Sequence, residues 1–242
     1  MEQPLEQRRT TDMKVLDSLG KREHLDMGAD SVVFRVRGDR EVDAVLKVYN
    51  GKHIKPKDAI HPKNLAEVLK GYYDDTEKAK EITDVNPNPL NQSVQIENEK
   101  YELAYEVVSQ GSILFNGTSL VGGKSERTIE VFGQRYVDGY NLKLLRMLGQ
   151  YSNPEVGTDA RISNIRKDET QAIFVGNVKL CAKLFDLINA LFLYLKTSTR
   201  SPFDFDDLNV KPFIDRKTKK ITIVITDLVA DLCLFNKKYR GN

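Results

Sequence analysis

Residues 205–227 spell out a β-hairpin flanked by acids. Phe213 and Ile214 close one apolar strand, the polar run 215–220 turns the chain, and Ile221, Ile223 and Ile225 alternate with Thr222 and Thr226. That two-residue period is the mark of a half-buried strand. Asp207 stands just ahead of the first strand and Asp227 just after the second, so closing the hairpin carries both carboxylates to one edge. Two acids so placed suit a divalent cation or a proton transfer. They suit equally well the turn and cap positions where Asp bonds its own backbone, so other residues have to decide between these uses.

With 242 residues the chain has material for one large domain or for two lobes. At 40% hydrophobic and 30% charged residues it can bury a core and is not a disordered composition. The net charge of +2 averages mixed signs, and the basic clusters at 217–220 and 237–240 read as solvated turn and tail residues, so no nucleic-acid partner is expected. Cys181 and Cys233 each sit in an apolar run and read as buried thiols in a reducing compartment, not as a disulfide framework. His24, His53 and His61 lack any metal-binding spacing. Residues 1–12 carry no apolar signal region, and the greasiest run, 184–195, is short and interrupted by Asp186 and Asn189. No membrane span is expected, and the chain reads as soluble and cytoplasmic.

Taken in order, Met13, Val15, Leu16 and Leu19 recur at helical spacing and end at Gly20. A loop holding Gly28 and Ser31 leads into the β-branched strand 32–37, a turn follows at 38–40, and 43–49 forms a second strand. Val45, Lys47 and Tyr49 share one face of it. A lysine there needs an anionic partner or a route to solvent. Residues 64–82, with Asn64 as cap and few β-branched residues, predict one or two helices, broken by the prolines of 86–89. Segments 101–109, 113–115, 128–132 and 135–137 read as antiparallel strands with turns at Gly111, Gly117 and Gly122. Tyr136 and Val137 lead through an Asp138-Gly139 turn to a helix over 142–148 that Asn141 would cap. A polar surface loop spans 151–170, and 177–196 is the strongest helix, with only Lys179, Lys183 and Asp186 marking a polar stripe.

A loop, a strand, a lysine strand reading Ala44-Val45-Leu46-Lys47, a helix, further strands, a buried helix, an Asp-Leu loop, a hairpin and a second Asp come in an order that resembles the protein-kinase fold, over about residues 25–231. The resemblance implies an α+β, two-lobed protein: an extension at 1–22, an N-lobe of antiparallel sheet plus helix at 23–138, and a reduced, mainly helical C-lobe carrying the catalytic-loop hairpin at 139–242. It implies ATP and Mg²⁺ as cofactors in an interlobe cleft. Gly28 and Ser31 would lie in the loop over the phosphates, and Lys47 would hold the α and β phosphates. Glu77 would hold Lys47, with Glu67 and Glu81 the other candidates. Tyr136 and Val137 would form the hinge beside the adenine, Asp207 would be the catalytic base, and Asp227 would ligate magnesium.

The departures from the family pattern are several. The catalytic-loop motif reads Phe205-Asp206-Asp207, Pro212 stands where a second metal ligand is usual, and the metal-binding motif reads Asp227-Leu228-Val229 without its glycine. Fifteen residues follow Asp227, too few for an activation segment and the helices that bind a peptide substrate. Two readings of the resemblance stay open: a minimal kinase acting on a protein hydroxyl, and a catalytically impaired pseudokinase acting as a protein-interaction module. A third takes the chain as an unrelated α+β binding module in which Lys47 snorkels and the acids cap turns.

Overall fold

In a computed structural model the described residues are 22–27, 31–37, 43–49, 62–108, 113–121, 124–148 and 165–228. The expected helix around residues 13–20 and the loop glycine Gly28 lie outside them. The chain divides into two compact units, one made of residues 1–77, 109–136 and 231–242, the other of 78–108 and 137–230.

The first unit carries a five-stranded sheet: β1 (Arg22–Met27), β2 (Ser31–Arg37), β3 (Asp43–Tyr49), β6 (Ile113–Val121) and β7 (Lys124–Arg135), in the order β1-β2-β3-β7-β6. Every neighbouring pair is antiparallel. The short links between β1, β2 and β3 make a meander, and β3 is its central strand, so Lys47 stands opposite Val33 on one side and Val131 on the other. Where two strands of 113–115 and 128–132 were expected, β6 and β7 run on to meet in a long hairpin, Val121 opposite Lys124.

Residues 62–85 form a single helix, α1 (Pro62–Val85), and the division between the units falls inside it. Val68, Leu69, Tyr72, Tyr73, Asp75, Thr76, Ala79 and Thr83 are buried along it, recurring at three and four residues. The helix ends where Val85 and Asn86 meet the prolines, Asn86 N–H still donating to the Ile82 carbonyl at 3.1 Å.

The second unit is built on a four-stranded mixed sheet of β4 (Ser93–Ile96), β5 (Glu99–Val107), β8 (Val210–Asp215) and β9 (Lys220–Ile225), in the order β4-β5-β9-β8. The hairpin read from the sequence is there, Val210 opposite Ile225 and Asp215 opposite Lys220. Segment 101–109 corrects an expectation: it is no antiparallel strand of the first sheet, since β5 pairs in parallel with β9, Leu103 opposite Ile221 and Val107 opposite Ile225. Its burial explains the choice, because Leu103, Ala104, Tyr105 and Val107 are all buried, as a strand covered on both faces requires.

The described residues of this unit also include the short α2 (Leu142–Met147) and the long α3 (Val178–Thr199). Asn141 caps α2 as expected, its side chain accepting from Leu144 N–H, and Asn177 caps α3 by accepting from Leu180 N–H at 3.1 Å. Leu180, Cys181, Leu184, Ile188, Leu191, Phe192 and Leu195 form the buried stripe of α3, while Lys179, Lys183 and Asp186 face outward. Each buried aliphatic or aromatic side chain of that kind contributes about 1.5–3 kcal/mol. Arg200, in the left-handed region at φ 54°, closes the helix by donating to the Lys196 carbonyl. No helix among the described residues is long and apolar enough to cross a membrane.

Candidate functional site

The loop between α3 and β8 is fixed by short-range contacts that the sequence dictates. Phe205 packs its ring against Phe185 and Phe192 of α3, centroids 4.7 and 5.3 Å apart. Asp206 then caps a single 3₁₀ turn over Asp207–Asn209, its side chain accepting from Leu208 N–H at 3.0 Å. That is the ordinary Asx-turn use of an aspartate, and it orients the next residue inward. Asp207 is buried, and one of its carboxylate oxygens lies 3.1 Å from the Arg146 guanidinium of α2.

The loop is stitched to the end of β9. The Asn209 carbonyl accepts from both Thr226 N–H, at 2.9 Å, and the Thr226 hydroxyl, at 3.1 Å. Asp204 N–H donates to the Leu228 carbonyl at 3.2 Å. Asp227 sits between those two ties, half-buried, so the second unit brings Asp207 and Asp227 to the same end of the β8–β9 hairpin. Among the described residues no three His, Cys, Asp or Glu side chains gather as a metal cage. Mg²⁺ commonly binds through one or two carboxylates completed by phosphate oxygens and water, and Asp227 at the strand end is a donor of that type.

Pro212 has a backbone role that its sequence position concealed. It lies in the outer strand β8, and its neighbour two residues on, Ile214, donates its N–H outward to the Thr170 carbonyl at 2.8 Å. By the alternation of a strand the ring nitrogen of Pro212 faces outward too, so no ladder bond to β9 is lost. Its carbonyl accepts from Gln171 Nε2 at 2.9 Å. Gln171, fully buried, also donates to the Tyr140 carbonyl at 3.0 Å and accepts from Tyr140 N–H at 2.8 Å. One amide thus fastens the segment after Val137 to the hairpin.

Gly139 makes that close approach possible. Its φ is +105°, and a Cβ there would stand 2.9 Å from the Phe213 ring and 3.0 Å from Gln171 Oε1. Val137 is buried with Val108 and Val224, with Phe213 packed against them. Its carbonyl, the group that the hinge reading offers to a base, accepts from Lys211 Nζ. Burial pushes the Lys211 ammonium's pKa down, and Asp138 opposes that shift.

Of the remaining expected residues, Ser31, Lys47, Glu67, Glu77 and Tyr136 belong to the first unit and Glu81 to the second. Lys47, 7% exposed, is buried in the central strand of its sheet. Ser31 opens β2 opposite Tyr49, and Tyr136 lies under Arg35, whose guanidinium carbon is 3.9 Å from the ring centroid. On α1, Glu77 is half-buried and Glu81 exposed. Glu67 is in the same helix. Among the residues of that helix whose burial is described, Asp75 is a fully buried acid.

Arg146, Lys211 and Gln171 are the polar residues of the second unit that sequence reasoning passed over. Arg146 stands in the last turn of a short helix, where a basic residue has a local explanation. Nothing near it in sequence announces a carboxylate partner. The chain matches no protein-family model, and no curated protein is similar to it in sequence.

Proposed function

We propose that the chain is a divergent protein-kinase-like protein, two-lobed and intracellular, that binds ATP with Mg²⁺. The observation that carries this reading is the paired anchoring of Asp207 and Asp227 at one end of the β8–β9 hairpin by the Asn209–Thr226 and Asp204–Leu228 bonds. Supporting it is a buried lysine on the central strand of a five-stranded antiparallel sheet that a long helix follows. In this reading Lys47 neutralises the α and β phosphates and Glu77 orients Lys47, while Asp227 holds the metal that offsets charge on the transferred group. Asp207 takes the proton of an acceptor hydroxyl as its oxygen bonds the γ-phosphorus and the bond to the nucleoside diphosphate breaks.

A second reading, a non-catalytic kinase-like interaction module, is favoured by two contacts. Arg146 holds the Asp207 carboxylate, and Lys211 takes the Val137 carbonyl. Thermal shift with ATP, with and without Mg²⁺, together with transfer from radiolabelled ATP to itself or to lysate proteins, tests the first reading. Mg²⁺-dependent stabilisation and labelling, both lost in Asp227→Ala and in Lys47→Met, is the expected result. Labelling that Asp227→Ala specifically removes defeats the non-catalytic reading, and absence of both nucleotide binding and labelling defeats the first.

A further inference from the structure

β4 is the outer strand of the second sheet, with β5 on one side and no strand among the described residues on the other. The β4–β5 turn fixes which backbone groups point outward. Glu97 and Asn98 have φ of 51° and 67°, the two-residue turn in which the flanking residues, here Ile96 and Glu99, exchange both hydrogen bonds. By alternation Val94 and Tyr101 are bonded likewise, and Leu103 N–H donating to the Gln92 carbonyl at 3.1 Å continues the same phase. The N–H and C=O groups of Ser93 and Gln95 therefore point off the sheet edge. No protein group among the described residues bonds to them.

A groove of about 510 Å³ lies along this edge, between β4 and the start of α3. Its lining includes buried Val94, Ile96 and Leu180 and half-buried Ile173. Lys179 and Lys183, both exposed and one helical turn apart, line it as well. Neither lysine forms an ion pair among the described residues, while the groove's one carboxylate, Glu97, has Arg216 at 3.8 Å. The groove thus joins open main-chain donors and acceptors, an apolar lining and uncompensated positive charge.

We propose that this edge takes up an extended acidic peptide of a partner protein as a fifth strand of the sheet. The added strand would exchange main-chain hydrogen bonds with Ser93 and Gln95, set an apolar side chain toward Leu180 and Ile173, and bring carboxylates to Lys179 and Lys183. A stretch matching the four residues of β4 spans about 13 Å at the strand rise. A second copy of β4, reading Ser93-Val94-Gln95-Ile96, brings no acid to the lysines. The site lies wholly in the second unit and is independent of nucleotide binding.

The test uses the full chain and two fluorescein-labelled octapeptides, alternating Glu-Val and alternating Lys-Val, followed by fluorescence anisotropy. Saturable binding of the Glu-Val peptide, weakened at 1 M NaCl, with none of the Lys-Val peptide, is the expected result. The double variant Lys179→Glu/Lys183→Glu should lose about fivefold or more in affinity, since two exposed ion pairs are reversed in sign. Gln95→Pro, which removes an outward N–H without touching the ladder to β5, should abolish binding with the circular dichroism spectrum unchanged. The proposal is overturned if the Glu-Val peptide does not bind, or if the charge-reversed variant binds it equally well. Sedimentation showing a dimer that Gln95→Pro dissociates would assign the edge to a second copy and likewise overturn it.

Discussion

The Arg146 guanidinium stands 3.1 Å from the Asp207 carboxylate, joining the end of α2 to the loop ahead of β8. Arg146 is about one-third exposed and Asp207 only 11%, so the acid depends on the arginine more than the reverse. Arg146→Ala should destabilise the protein by about 1–3 kcal/mol, because it leaves a carboxylate largely removed from water without its cation. Adding Asp207→Asn should recover part of that loss. Urea denaturation of the two single variants and the double variant gives the coupling, expected at about 1 kcal/mol. Strictly additive losses would show that the pair is a coincidence of packing.

Gln171 offers a second test of how the segment after Val137 is held. Its side chain makes three hydrogen bonds to main-chain atoms of Tyr140 and Pro212 while fully buried. Gln171→Leu keeps the bulk but strands those main-chain groups, at a cost of about 2–4 kcal/mol. Gly139→Ala should act on the same junction by strain, since its φ is +105° and the new methyl meets the Phe213 ring. Both variants should melt several degrees below wild type by calorimetry, with the larger drop expected for Gln171→Leu. A Gln171→Leu variant melting with the wild type would mean that the three bonds carry no net stability.

What could be read in the sequence was set by distance along the chain. The β8–β9 hairpin closes across a few residues, and the strand period with its polar turn announces it. The stripe of α3 is equally local. β5 was legible as a strand but not as a neighbour of β9, because its parallel partner Ile221 lies more than a hundred residues from Leu103. Burial on both faces, visible as Leu103-Ala104-Tyr105, was the clue to a central position. Asp206 and Asp207 are adjacent and look interchangeable, yet backbone geometry gives one to a cap and the other to Arg146. Pairing across such separations is written in three-dimensional packing, and a local pattern does not carry it.

Alkaline pH should separate a buried phenol and a half-buried ammonium of opposite effect. Tyr105 is buried with its hydroxyl donating to Gln92 Oε1, and burial holds its pKa above the ordinary phenol value near 10. An unfolded Tyr105 loses its proton there while the folded one keeps it, so this residue's contribution to stability declines as pH rises past about 10. Lys211 works the other way, since burial lowers its folded pKa below the unfolded value of 10.5. In the window under 10.5 the unfolded state holds the extra proton, and stability rises with pH. Urea midpoints from pH 8 to 12 should therefore fall less steeply above pH 10 in Tyr105→Phe, and Lys211→Met should lose the rise below it. Parallel profiles for all three proteins would contradict both assignments.

Cys181 is fully buried on α3, its thiol 3.3 Å from the Phe174 carbonyl, and burial pushes its pKa up to about 11 against a smaller opposing pull from Arg146. Thiolate is the reactive form, so at pH 8 only about one molecule in a thousand carries it, and that one is shielded from solvent. In a Cys233→Ser background, where Cys181 is the sole thiol, Ellman's reagent should titrate none in the native protein and one in 8 M urea. The native-state rate should follow opening of the second unit and slow when stability is raised. Stoichiometric labelling of the native protein within minutes would mean that α3 does not bury this residue, and with it would go the packing that holds Phe205 and the Asp207 loop in place.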